Sequence, residues 1–318
     1  MKHELPSRSR DEGASIAHRL QETQAQVTRF LEQRLALTCS PLVAAMRDAV
    51  LPDGKRLRPI LCLEACAWAG GRIEHALPAA CAIEMIHKMT LVHDDLPAMD
   101  DARTRDGKPA LHRTHGEAMA ILAGDGLLVE AFGTLASIED VDPAAVLRAT
   151  RRLCLALGAG GVAGGQAEEL LARARSSPEG SVADAGAGHD RQLRELYSRK
   201  TGSLFEAAVV VGAELGGASD AQIAAVARYG LTLGIAFQIA DDLLDSAPAD
   251  VDSFDSRLEM TNYAHRFGAH QARGKARELL HDAVAALAAT EGGDTSLFAA
   301  VAQLVLARCG MASAAGGA

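Results

Sequence analysis

The chain has 318 residues, 48% of them hydrophobic but only 3% aromatic, and a formal net charge of −9. Alanine, leucine and valine must therefore supply the interior, and such a composition points to an all-α protein with a sizeable core. The acidic balance argues against a nucleic-acid partner, and the lack of any run of about 18 uncharged apolar residues argues against a membrane span.

The start, MKHELPSRSRDEGAS, has no apolar stretch and does not read as a signal peptide. Residues 15–36 carry Ile16, Leu20, Val27, Phe30, Leu31 and Leu35 broadly at helical spacing. A turn at LPDGKRLRP precedes a helix beginning near Pro59, a favourable first-turn residue. Residues 73–96 read as a long buried helix ending at Pro97, and further helices are expected at 115–137, 143–172, 190–216, 219–246, 261–289 and 294–308. Strand alternation is scarce. Two polar stretches, near 173–190 and 246–257, read as mobile loops. One helical domain over 15–310 is expected, between a flexible N-terminus (1–14) and a flexible tail (311–318). The six cysteines show no metal-ligand spacing and sit mostly in apolar stretches, which fits free thiols in a reducing, cytoplasmic setting.

Two acidic clusters stand out. In LVHDDLPAMDDARTRDGKP (91–109), four aspartates fall within eight positions at the end of an apolar run. In FQIADDLLDS, Asp241 and Asp245 lie one helical turn apart, with Asp242 beside them. Carboxylates concentrated in a partly apolar setting need cations. An all-oxygen donor set selects a hard ion such as Mg²⁺, which takes a few carboxylates and completes its shell with water and substrate phosphates. Such a cage suits a diphosphate leaving group, whose charge grows as a carbon–oxygen bond breaks. Basic residues fit the same chemistry: Lys55, Arg56 and Arg58 on the DGKRLRP turn, and Lys200 with Thr201 in SRKTGSLF.

These motifs, together with CAIEMIHKMTLVHDDLPAMDD, GKPALH, EAMAILAGDGLL, GGQAEEL and RKTGSLFEAAVVVGAELGG in order between about residues 40 and 245, resemble the trans-isoprenyl (polyprenyl) diphosphate synthases of the farnesyl/geranylgeranyl type. The resemblance implies an isoprenoid synthase-type helical bundle around a large central cavity, as a homodimer. It implies an allylic diphosphate that ionises with the help of three Mg²⁺ ions, attack by the double bond of isopentenyl diphosphate, and loss of a proton. It casts Asp94, Asp95, Asp100, Asp241, Asp242 and Asp245 as metal ligands. Lys55, Arg58 and His87 would grip isopentenyl diphosphate, and Arg105, Lys200, Thr201 and Gln238 would attend the allylic substrate. Met89 and Thr90 would set chain length; lacking a bulky aromatic at 89, the chain resembles synthases of geranylgeranyl diphosphate (C20) rather than farnesyl diphosphate (C15). The Cys62-Leu-Glu-Ala-Cys66 segment resembles one used in subunit association.

The chain also departs from that pattern. The family has two adjacent arginines after the first cluster, whereas here Arg105 is followed by Asp106, which removes a phosphate contact and adds repulsion. The family's lysines after the second cluster are missing, and Asp250, Asp252 and Asp255 stand in that stretch with only Arg257 as a nearby cation. The alternative is a diverged member: an allylic-diphosphate cyclase or lyase, or a non-catalytic partner of an active synthase. A histidine–aspartate phosphohydrolase around His93 lacks the further histidine ligands such a site needs.

Overall fold

The structure, a computed structural model, describes residues 10–36, 40–52, 54–175, 187–245 and 262–310. Among them the all-α expectation holds. The helices are α1 (Arg10–Arg34), α2 (Pro41–Val50), α3 (Leu57–Trp68), α4 (Ile73–Asp94), α5 (Leu111–His115), α6 (Glu117–Ala136) and α7 (Pro143–Leu157). They continue as α8 (Val162–Arg175), α9 (Ala187–Tyr197), α10 (Ser203–Leu215), α11 (Asp220–Asp245), α12 (Tyr263–Phe267), α13 (Ala269–Ala288) and α14 (Ser296–Arg308). The only described strands, β1 (Thr104–Arg105) and β2 (Lys108–Pro109), pair antiparallel as one short hairpin.

Three expected helices are broken, each for a local reason. The 143–172 segment divides at Gly158–Gly161, where the Gly158 and Gly161 amides donate back to Cys154 and Gly158 carbonyls and end α7. The 190–216 segment is interrupted by a π turn over Ser198–Gly202, the type of bulge that gathers at functional positions. The 261–289 segment breaks at Gly268, whose φ of 82° a residue with a Cβ rarely adopts. Helix α1 begins at Arg10, inside the stretch expected to be flexible. Residues 1–9, most of the 173–190 loop, the 246–257 loop with Asp250, Asp252, Asp255 and Arg257, and the 311–318 tail lie outside the described residues.

The chain divides into two compact units, one of residues 14–151 with 211–218, the other of 1–13, 152–210 and 219–318. In the first unit α4 is the central helix, packed by α3 and α6. Its run Ala79–Ile83 is fully buried, and small side chains there let neighbours approach closely. Gly124 on α6 makes the same allowance: a Cβ there would stand 2.1 Å from His93 Nε2. All five residues of the Cys62–Cys66 segment are buried. They pack within the unit, since a Cβ on Gly212 or Gly216 would meet the Cys62 or Cys66 carbonyl at 1.9 or 2.6 Å. Burying a large side chain such as Leu127 or Ile86 in this core contributes roughly 1.5–3 kcal/mol.

In the second unit α11 plays the central role, packed by α13, α14 and the π turn. Gly230 and Gly234 bring α11 against α10 and the π turn, and a Cβ on Gly234 would lie 2.6 Å from the Gly202 Cα. Tyr229 is fully buried, stacks edge-on to Phe298 and donates its hydroxyl to the Phe298 carbonyl at 2.8 Å.

Contrary to the reading from uncharged runs, two helices are long and apolar enough to cross a membrane by length and composition alone, Glu117–Ala136 and Asp220–Asp245. Both carry aspartates or glutamates within the span, and the Glu130 carboxylate on α6 is paired with Arg34. A core helix passes the same test, and both helices pack against several others within their own units.

Candidate active site

In the first unit the site grows from the C-terminal end of α4. Asp94 ends the helix, and the chain then folds back on it: the Asp100 amide donates to the Asp94 carbonyl at 2.9 Å and the Ala102 amide to the Asp95 carbonyl at 3.2 Å. This return brings Asp94, Asp95 and Asp100 into one neighbourhood. Asp95 is only 3% exposed and receives the Arg105 guanidinium through both Nε and Nη2. That hydrogen bonding, partly offset by burial, raises Arg105 above its ordinary pKa. The fourth aspartate, Asp101, turns to Arg113 at 2.9 Å.

Arg105 is presented by the β1–β2 hairpin, which turns over Asp106 and Gly107. Both residues have positive φ, 51° and 76°, as a type I′ turn requires, and Asp-Gly is among the preferred pairs there. Asp106 thus has a structural role that a sequence reading of it as a lost phosphate contact overlooks.

About two turns back on α4, His87 meets Arg58, whose Nη1 lies 3.2 Å from His87 Nε2. A guanidinium can only donate, so Nε2 accepts and the ring proton sits on Nδ1. Burial first, then the charges of Arg58, Lys88, Arg105 and Arg56, hold His87 well below the usual histidine pKa. The imidazole is neutral within a ring of cations. Lys55 is exposed on the preceding turn, its carbonyl accepting from Gln24 Nε2 at 3.1 Å. Arg56 departs from the expected phosphate clamp. It points inward, pairs with buried Glu84 at 2.7 Å and donates to the Val50 and Pro52 carbonyls. Of the expected chain-length residues, Met89 is buried, and Thr90 donates its hydroxyl to the His87 carbonyl at 2.8 Å.

In the second unit Asp241, Asp242 and Asp245 lie on the last turns of α11. Asp242 is 4% exposed and fully engaged: Tyr197 and the Tyr263 amide donate to Oδ2, and Gln238 Nε2 donates to Oδ1 at 3.2 Å. Burial pushes its carboxyl up to about 6, against the opposing effect of these donors. The Gln238 carbonyl in turn accepts from Thr201 Oγ1 at 2.8 Å, so Thr201, Gln238 and Asp242 form one chain of hydrogen bonds. Lys200 sits on the π turn, where a Cβ on Gly165 would come within 2.5 Å of its backbone nitrogen, and its ammonium pairs with Glu169. Asp241 accepts from Arg308, whose guanidinium also covers the Phe237 ring at 4.9 Å.

Several participants were missed from sequence. Tyr197 and Tyr263 carry no motif signal, since each is a lone aromatic whose partner is 45 or 21 residues away. Arg308 is equally remote from Asp241. Glu169 and Gln166, both buried, stand in the quoted GGQAEEL motif, which could have suggested them. Gln166 Nε2 is buried without a hydrogen-bond partner among the described residues.

The donor set is entirely carboxylate, which suits a hard divalent cation. Among the described residues, no group of three or more His, Cys, Asp or Glu side chains is gathered closely enough to hold a metal by itself. An ion bound here must complete its shell with water or ligand oxygens, which is how Mg²⁺ is ordinarily held.

Residues 40–252 match the polyprenyl synthetase family. The chain belongs to that family. It is 39% identical over 244 residues to geranylgeranyl pyrophosphate synthase 7 of Arabidopsis thaliana, covering 75% of this chain and 68% of that one. It is also 39% identical over 256 residues to a dimethylallyltranstransferase of Fischerella ambigua, covering 79% and 71%. Among solved structures, an FPP/GFPP synthase from Zymomonas mobilis superposes with a TM-score of 0.78 at 31% identity, covering 92% of this chain and 99% of that one. A geranyltransferase from Legionella pneumophila gives 0.80 at 28%, covering 94% and 98%. The helical architecture of this polyprenyl synthetase is therefore the isoprenoid synthase fold that the motifs implied.

Proposed function

We propose that this polyprenyl synthetase is a short-chain trans-prenyltransferase that condenses isopentenyl diphosphate with an allylic diphosphate. The observation that carries this reading is the neutral His87 within its ring of cations, about two helical turns from an aspartate cluster. A diphosphate and its counter-ions need both kinds of group, and a second aspartate cluster ends α11.

Lys55, Arg58 and the Nδ1–H of His87 bind the diphosphate of isopentenyl diphosphate. Arg105, locked by Asp95, and Lys200, Thr201 and Gln238 orient the allylic diphosphate. In the first unit Asp94 and Asp100 would hold Mg²⁺, with Asp95 contributing from the buried side, and in the second unit Asp241 and Asp245 would do so with Asp242, three ions in all. When bound, Mg²⁺ supplies Lewis-acid neutralisation of the departing diphosphate oxygens. The apolar surface of α4 behind the first cluster keeps water from the allylic cation until the double bond attacks it.

Met89, where no bulky aromatic stands, is the residue we assign to leaving room for a C20 product, geranylgeranyl diphosphate, with C15 the shorter outcome. The relative from Arabidopsis, named for the C20 product, supports this assignment. A homodimer is supported by α6, where the large apolar side chains of Ile121, Leu122 and Val129 are exposed. A cytoplasmic location fits the described cysteines, all free thiols. Cys154 alone among them is exposed.

The test is an assay of purified protein with Mg²⁺, isopentenyl diphosphate and, separately, dimethylallyl, geranyl and farnesyl diphosphates, with products sized by chain length. Elongation to C20 is expected. Consumption of an allylic diphosphate without elongation would instead give the fold to a cyclase or lyase.

A further inference from the structure

Lys88 follows His87 on α4, and its side chain is only 9% exposed, an unusual place for an ammonium group. Its Nζ stands 3.6 Å from Asp106 Oδ2, an ion contact longer than a hydrogen bond. The Asp106 side chain is 59% exposed, so this counter-ion reaches in from water and holds the ammonium loosely. On its other side Lys88 faces the turn before α3: a Cβ on Gly54 would lie 3.9 Å from Nζ. The ammonium therefore lies beside the turn that carries Lys55 and leads into Arg58. The other cations around His87 are held differently. Arg56 is committed to buried Glu84 and Arg105 to buried Asp95.

A buried cation with an exposed, exchangeable counter-ion, set among further cations, is arranged to receive an anion. The sequence supplies a reason for it to be there. Asp106 occupies the position of an arginine in the family pattern, and its carboxylate leaves that position one cation short. Lys88 reaches the same region from α4.

We infer that Lys88 is a diphosphate-binding residue for isopentenyl diphosphate, supplying from α4 the cation that position 106 lacks, with Asp106 as its displaceable counter-ion. The inference rests on the proposed prenyltransferase reading and adds to it a residue that the motif pattern does not assign.

The test is a double-variant cycle read by calorimetric binding of isopentenyl diphosphate to the full chain, without turnover. Lys88→Met is expected to weaken binding at least fivefold, as the loss of a charge-assisted contact does. Lys88→Arg should keep affinity within fivefold. Steady-state assays should show the loss in the KM for isopentenyl diphosphate and not in that for the allylic substrate. The deciding variant is Lys88→Met with Asp106→Asn. If Lys88 served only to neutralise Asp106, removing both charges would restore binding; the inference requires that binding stay weak. Recovery in the double variant, or a loss below fivefold in Lys88→Met, overturns it. Should Lys88→Met fail to fold by circular dichroism, Lys88→Gln carries the same prediction. A wild-type protein that binds isopentenyl diphosphate but elongates nothing would overturn the prenyltransferase reading alone, so the two can fail separately.

Discussion

Replacing Arg56 by Met should be among the most damaging single changes in the first unit. Arg56 and Glu84 have side chains 2% and 3% exposed and pair at 2.7 Å, and the guanidinium also donates to the Val50 carbonyl at 2.7 Å. Removing the cation leaves a buried carboxylate without its partner, which costs about 3–5 kcal/mol. The residue also sits at φ 48°, a conformation that costs a non-glycine residue roughly 1–2 kcal/mol and that these bonds hold in place. For a cooperative unit of about 150–250 residues, the loss corresponds to roughly 6–20 °C in melting temperature. Urea unfolding followed by circular dichroism measures it directly. The double variant Arg56→Met with Glu84→Met should recover most of the loss, because a hydrophobic replacement of a buried pair is often neutral. Because the same turn carries Lys55 and leads to Arg58, any folded Arg56→Met protein should also show a raised KM for isopentenyl diphosphate. A loss below about 1 kcal/mol, or no recovery in the double variant, would refute the reasoning, since it would mean that the pair is not desolvated as described.

Other expectations follow from the same geometry. His87 stays neutral when folded and titrates near 6.5 when unfolded, so unfolding takes up a proton below that pH and stability falls as pH falls. Between pH 6.5 and 5.5 this one group accounts for about 1 kcal/mol, and His87→Gln should lose that much less than wild type in urea titrations at the two pH values. Tyr197→Phe removes a buried donor from Asp242 and should cost about 1–3 kcal/mol in the same measurement; an unchanged midpoint would show that the Tyr263 amide and Gln238 suffice. Met89→Phe adds bulk at a buried position on α4 and should shift the product from C20 towards C15, read by chromatography of the dephosphorylated alcohols. A product distribution identical to wild type would place the ruler elsewhere.

The sequence by itself determined the helical class and the two aspartate clusters, because each is written in short-range terms. Apolar residues recurring at helical spacing mark a buried face, and Asp241 and Asp245 share a face simply because they are one turn apart. The breaks at Gly158–Gly161 and Gly268 fall at glycines, but a glycine within an apolar pattern is ambiguous until packing settles it. What only the tertiary structure decided were pairings across long stretches of chain. Arg56 turns inward because Glu84, 28 residues on, lies buried beside it, although from sequence it is one of three equivalent cations on a turn. Asp242 is fastened by Tyr197 and the Tyr263 amide, and Asp241 by Arg308, while motif spacing makes all three aspartates alike. Asp106, a missing arginine in sequence, becomes the tip of a type I′ turn and the counter-ion of Lys88 once the hairpin folds. The physical reason is common to all of them: a charge in water needs no partner, so sequence leaves its partner unspecified, whereas burial makes the partner obligatory and packing alone selects it.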